Sequence, residues 1–149
     1  MVIKNKKRII NDLTSDEITL LYVYCANFDK IIELYSKNKF KKEFNKIVPD
    51  KNIIEVKQKD VLNTKNKCQH NQMYCVIRKN KPISFLTHLR NAIAHGNLIY
   101  FKDNNTYEII DKTIKKHKGN RIEFYTAYGL YAKDSVLDLI TLCLSKLNN

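Results

Sequence analysis

In the stretch FLTHLRNAIAHGNL, Phe85 to Leu98, an arginine, an asparagine and a histidine stand at Arg90, Asn91 and His95, and a glycine follows at Gly96. The chain holds 27 lysines and arginines, yet only Arg8, Arg78, Arg90 and Arg121 are arginines. Positive charge is available everywhere, so a guanidinium at this point asks for a specific use. Arginine presents a planar fork of donors that matches phosphate oxygens. Histidine titrates near neutrality and moves a proton in either direction. Together they suit chemistry at a phosphodiester.

On a helical wheel at about 100° per residue, Phe85, Leu86, Leu89, Ala92 and Ile93 share an arc that must face a core. Ser84, His88, Asn91 and His95 form a polar stripe opposite, with Arg90 at its border, about 140° from His95. Core packing does not require two imidazoles, an amide and a guanidinium on one helix. His95 lies in the last turn, where the helix dipole favours a protonated ring. Asn91, four residues earlier on the stripe, is placed to orient that ring. Acid–base work on a phosphodiester needs a second group, which two copies of the helix meeting across a twofold axis would supply. The plainer alternative makes His95 a helix-terminal residue bonded to a free carbonyl and Arg90 a solvated charge. His88 is either a substrate contact or a dimer-contact residue. Tyr100, just past the motif, either stacks on a base or packs in a sheet.

The elements that must position these residues are readable in part. Thr14 and Glu17 have capping-box spacing, and apolar residues at Ile18, Leu21, Cys25, Phe28, Ile32 and Tyr35 predict one long amphipathic helix from about Ser15 to Lys37. Phe40, Phe44 and Ile47 predict a shorter helix, bounded by Pro49. Between Asp50 and Lys81 the signal is weak: IIEV and DVL suggest a third helix, MYCVI fits helix or strand, and Asn63 to Lys67 reads as a surface loop. Pro82 suits the first turn of the motif helix, and Gly96 suits a left-handed residue that ends it. LIYF, YEII and RIEFYTAY, separated by DNNT and KHKGN turns, predict three antiparallel strands. Ser135 then caps a last, mostly buried helix carrying Val136, Ile140, Cys143 and Leu147. The predicted fold class is mainly α, an up-and-down helical bundle with a small antiparallel sheet inserted before its last helix, in one domain spanning 1–149.

A chain of 149 residues with 44% hydrophobic and 28% charged residues falls in the range of an ordinary globular domain. MVIKNKKRII lacks the apolar run of a signal peptide, and no segment reaches the roughly 18 apolar residues of a membrane span. The expectation is a cytoplasmic protein with no membrane partner, whose cysteines Cys25, Cys68, Cys75 and Cys143 are free thiols. A net charge of +12 invites a polyanion such as RNA, although a composition rich in Lys, Asn and Ile is also what an AT-rich genome produces.

The run Arg90-Asn91-Ala92-Ile93-Ala94-His95, followed by Gly96 and Asn97, resembles the signature of the HEPN superfamily: arginine, a polar residue, a few variable residues, then histidine. The resemblance implies an up-and-down helical bundle and a homodimer whose motif residues line a shared cleft at the subunit interface. It implies a metal-independent endoribonuclease in which the ribose 2′-hydroxyl attacks its own phosphate, leaving a 2′,3′-cyclic phosphate and a 5′-hydroxyl. In that scheme Arg90 binds and polarises the phosphate, His95 is the acid–base group, and Asn91 supports the histidine. Toxin–antitoxin, abortive-infection and antiviral systems are the settings it implies, with an antitoxin protein as a partner. The sheet after Gly96 departs from the simplest members. A non-cleaving RNA-binding module, or a subunit paired with a nucleotidyltransferase-type antitoxin, are the alternatives within the same resemblance.

Elsewhere, Cys68, His70 and Cys75 lack the paired spacing of a zinc site, so no metal and no cofactor is expected. His117 in its lysine-rich turn reads as solvated. Three glycines in all exclude nucleotide-loop folds.

Overall fold

In the computed structural model, which describes residues 6–8 and 13–148, Thr14 and Glu17 close the predicted capping box. The Thr14 hydroxyl accepts from the Glu17 amide at 3.1 Å, and the Glu17 carboxylate accepts from the Thr14 amide at 2.9 Å. Most of MVIKNKKRII lies outside the described residues. Helix α1 runs Ser15–Ala26 and stops. The single long helix predicted through Lys37 is in fact two, because α2, Phe28–Ser36, begins only after Asn27. The Asn27 side-chain amide donates to the Val23 carbonyl at 2.9 Å, a carbonyl its own backbone N–H also reaches at 3.1 Å. Asparagine competes with the helix ladder in this way, and an apolar spacing that continues across the break does not register it. Helix α3, Lys41–Ile47, follows as predicted, with Phe40 and Phe44 edge-on to Tyr35 at centroid distances of 5.4 and 5.6 Å.

Past Pro49 the expected third helix is absent. IIEV forms strand β2, Ile53–Glu55, and DVL falls among short 3-10 turns at 58–60 and 62–66. MYCVI lies mostly in strand β3, Gln72–Cys75. The motif helix, α4, spans Lys81–Ala94 with the Asn80 side chain accepting from the Ile83 amide at 2.9 Å and Pro82 in its first turn. Three strands follow: β4, Leu98–Phe101; β5, Thr106–His117; and β6, Asn120–Ala132. Helix α5 is Lys133–Ser145, so the predicted cap Ser135 lies inside its first turn.

These strands and β1, Lys6–Arg8, make one six-stranded mixed sheet in the order β1-β4-β5-β6-β3-β2. Only β2 and β3 pair in parallel. The predicted fold class is therefore corrected: the chain is α+β, and its sheet is neither small nor confined to an insertion before the last helix. Two physical reasons account for the difference. Strands of three and four residues are too short to show a two-residue period. The outer half of β5 is held by backbone pairing, with exposed lysines at Lys115 and Lys116 where apolar residues would have marked a strand.

Helices α1, α4 and α5 and the sheet share one core, in which Tyr24, Phe85, Leu86, Leu89, Tyr107, Ile109, Tyr131 and Leu139 are buried. The Tyr24 hydroxyl donates to the Leu86 carbonyl at 2.6 Å, tying α1 to the motif helix. Gly129 on β6 lets β3 come close: a Cβ there would lie 3.1 Å from both the Gln72 carbonyl oxygen and the Met73 Cβ. Among the described residues no helix is long and apolar enough to cross a membrane.

Helix α4 ends in a Schellman arrangement. Gly96 takes φ +71°, its amide donates to Ile93 O at 3.2 Å, and the Asn97 amide donates to Ala92 O at 2.8 Å. Nothing lies within 4 Å of where a Gly96 Cβ would stand, so a substitution there meets only backbone strain. Gly96→Ala is expected to destabilise by about 1 kcal/mol, with Gly96→Asn intermediate. Equal urea midpoints for Gly96→Ala and wild type would show that the helix ends another way.

Candidate active site

The polar stripe of α4 does not face solvent along its length; its N-terminal part is pressed against the sheet. Ser84 is buried, donating to the Arg78 carbonyl at 2.9 Å and accepting from the Arg78 amide at 2.7 Å. One turn on, His88 is 4% exposed, with Nδ1 2.7 Å from Asp111 Oδ2 and Nε2 2.8 Å from the Val76 carbonyl. Both ring nitrogens face acceptors, so only a ring carrying both protons satisfies the pair. His88, read from the sequence as either a substrate contact or a dimer-contact residue, is occupied within the fold and acts as a brace between α4 and the sheet.

Asp111 is the residue that sequence reasoning missed. It follows Tyr107 and Ile109 on one face of β5 and takes a position where an apolar residue would be expected, with only 4% exposure. That break in a two-residue apolar pattern was the available signal. Burial pushes its carboxyl up, but hydrogen bonds from His88 and Asn91, the His88 charge and contact with Thr126 outweigh this and hold it below the ordinary carboxylate value.

Asn91 carries the arrangement outward. Its Nδ2 donates to Asp111 Oδ2 at 3.0 Å, and its Oδ1 accepts from Arg90 Nη1 at 3.0 Å. The amide expected to steer His95 instead joins the buried carboxylate to the guanidinium. Arg90 lies with its Cζ 5.9 Å from the Phe28 ring centroid. Its Nε is buried with no acceptor among the described residues, a desolvated donor left uncompensated.

His95 stands apart from this network. It is the cap residue of α4, exposed, one turn beyond Asn91, whose carbonyl accepts from the His95 amide at 3.0 Å. The structure thus joins Arg90 and Asn91 directly and sets His95 at the free end of the same helix. Tyr100 is buried on β4: its hydroxyl donates to the Asn105 side chain, and Lys133 Nζ sits 5.3 Å from its ring centroid. A cleft of about 380 Å³, open mouth included, lies beside the motif between α4 and the β5–β6 hairpin. Arg78, Thr87, Asn91, Asp111, Thr113 and Thr126 are among its walls. Among the described residues no three His, Cys, Asp or Glu side chains converge as metal ligands would.

A family model described as HEPN pEK499 p136 matches residues 5–143, nearly the whole chain, and the chain belongs to that family. No curated protein and no solved structure matches it.

Asp111→Ala leaves the His88 and Asn91 donors without their acceptor and is expected to destabilise by about 3 kcal/mol at neutral pH. Because the folded carboxyl sits below its unfolded value of about 3.9, the stabilisation from its charge is complete above that value. It fades as pH falls through the lower folded one. The lead of wild type over Asp111→Ala, read from urea midpoints, should hold from about pH 7 to pH 5 and shrink below about pH 4. A lead that does not change across this range would mean the charge contributes nothing.

Proposed function

This chain is a HEPN protein, and from that premise we propose that it is a metal-independent endoribonuclease acting as a homodimer. The observation that supports this most is the pairing of a braced guanidinium with an exposed imidazole on one helix: Arg90 is hydrogen-bonded to Asn91, Asn91 to the buried Asp111, and His95 lies one turn further on. A side chain held in this way approaches a phosphate with little left to order, which is how positioning lowers a barrier.

In the proposed reaction Arg90 donates to the non-bridging oxygens of the scissile phosphate and offsets the charge that builds on them. His95 takes the proton from the 2′-hydroxyl as that oxygen bonds to phosphorus. The bond from phosphorus to the 5′-oxygen breaks, and that oxygen leaves with a proton from His95 of the partner subunit. The products are a 2′,3′-cyclic phosphate and a 5′-hydroxyl. DNA lacks the attacking hydroxyl and is not a substrate. His88 and Asp111 hold the site together and take no part in the proton transfers. The setting we propose is cytoplasmic, in toxin–antitoxin, abortive-infection or antiviral defence, with an antitoxin protein as the neutralising partner.

The test is incubation with total RNA in excess EDTA, wild type beside a His95→Ala variant of matched folding and oligomeric state. Cleavage leaving cyclic phosphate ends should fall by about a hundredfold or more in the variant, the scale of a lost acid–base group. Equal cleavage by both proteins, or none by either, would overturn the assignment.

A further inference from the structure

Beyond Asp111 the β5–β6 hairpin leaves the body of the molecule. Asp111 pairs with Ala127 and Lys112 with Tyr125, so Thr126 is an extra residue on β6, a bulge. Every residue from Thr113 to Glu123 is exposed. Pairing nevertheless continues in register to His117 and Asn120, closed by Lys118 at φ +52° and Gly119 at φ +81°. Two positive φ values at the centre of a two-residue loop are those of a type I′ turn, whose twist suits a hairpin. The arm is thus built by its backbone and reaches about 17 Å from Lys112 to His117. Core packing does not account for its side chains.

Those side chains are strongly biased. Between Lys112 and Arg121 there are five cations, Lys112, Lys115, Lys116, Lys118 and Arg121, and no acid, whereas the whole chain has 27 cations to 15 acids. The first acid beyond, Glu123, accepts from the Tyr125 hydroxyl at 3.2 Å and lies 3.5 Å from Lys112. Aromatic rings are interleaved with the cations: Lys115 Nζ is 5.5 Å from the Phe124 ring centroid and Lys112 Nζ 5.8 Å from that of Tyr125. Cross-strand register sets Thr113 opposite Phe124 and Lys115 opposite Ile122, so these four share a face. Thr113 also lines the cleft with Asn91 and Asp111. That face therefore continues the wall of the candidate site.

We propose that the hairpin arm from Lys112 to Tyr125 is a binding surface for single-stranded RNA, carrying the strand toward the cleft that Asn91 lines. Lysines along the ribbon neutralise phosphates, and the Phe124 ring on the face that continues the cleft wall offers a plane on which a base stacks. A second copy of the arm is a poor occupant, since two such ribbons would bring like charges together. The choice of RNA over DNA rests on the ribonuclease reading above; the polyanion chemistry does not.

The test is fluorescence anisotropy of the full chain with a labelled single-stranded RNA of about 20 nucleotides whose riboses are all 2′-O-methyl, which blocks the attacking hydroxyl and separates binding from cleavage. Lys115→Ala should weaken binding severalfold and lower the slope of log Kd against log salt by about 0.7, the value for one lost phosphate contact to a single strand. Phe124→Ala should weaken binding with the slope retained. A control on other exposed lysines, Lys57→Ala/Lys59→Ala, should retain the wild-type Kd and slope. The altered lysines are exposed and Phe124 is half-buried on the arm outside the core, so thermal melts should match wild type. Wild-type affinity in both arm variants would overturn the proposal, as would an equal loss in the control or loss of dimerisation with RNA binding intact. Arm-dependent binding without cleavage of unmodified RNA would overturn the ribonuclease reading alone.

Discussion

A carboxylate in the core, Asp111, is the constraint on which the site depends. Apolar packing alone would seat α4 on the sheet with freedom to rotate or slide by a fraction of a turn. Asp111 Oδ2 removes that freedom by accepting from His88 and Asn91 together, one turn apart on α4, while His88 also reaches Val76 beyond β3. A shift of β5 by one residue would carry Asp111 to the opposite face of the sheet and leave both donors buried and unpaired. Register, helix rotation and the orientation of Asn91 are therefore a single requirement. Arg90 inherits its place from that requirement through one further bond.

The site divides into a braced part and a free part. Arg90 and Asn91 belong to a network that ends in the core, whereas His95 rests on the helix terminus, set by Gly96 and the two amide bonds that close it. In the mechanism proposed above, the group that would work across two subunits is the one left exposed. The carboxylate on the opposite side of the sheet serves a different end: Glu108 accepts from the Tyr128 hydroxyl at 2.6 Å, a contact between strands.

What was legible in the sequence was local. The capping box at Thr14, the proline and glycine that bracket α4 and the motif on its surface are each written within a few residues, and short-range geometry decides them. The sheet was less legible, since β2 and β3 are too short to show a period and β3 meets β6 more than fifty residues away. Asn27 splits a helix with a single side-chain bond that apolar spacing does not register. At the site, Arg90, Asn91 and His95 were readable from residue type and spacing. Their wiring was not: Asn91 turns to Asp111, twenty residues distant, and only the folded register brings those two together.

The extra residue at Thr126 has a consequence for how this molecule can change. Inward of it, the hairpin answers to the core: Ile109, Asp111 and Ala127 are buried, and Thr126 itself is tied down by its hydroxyl on the Asp111 carbonyl and by its carbonyl on the Val76 amide. Outward of it, the backbone is self-sufficient and side chains meet one another and solvent rather than the core. The bulge works as a joint between two regimes of tolerance. A pair of residues could be added to or removed from the tip without a repacking cost, so the arm can lengthen or shorten while the Asp111 network behind it stays fixed.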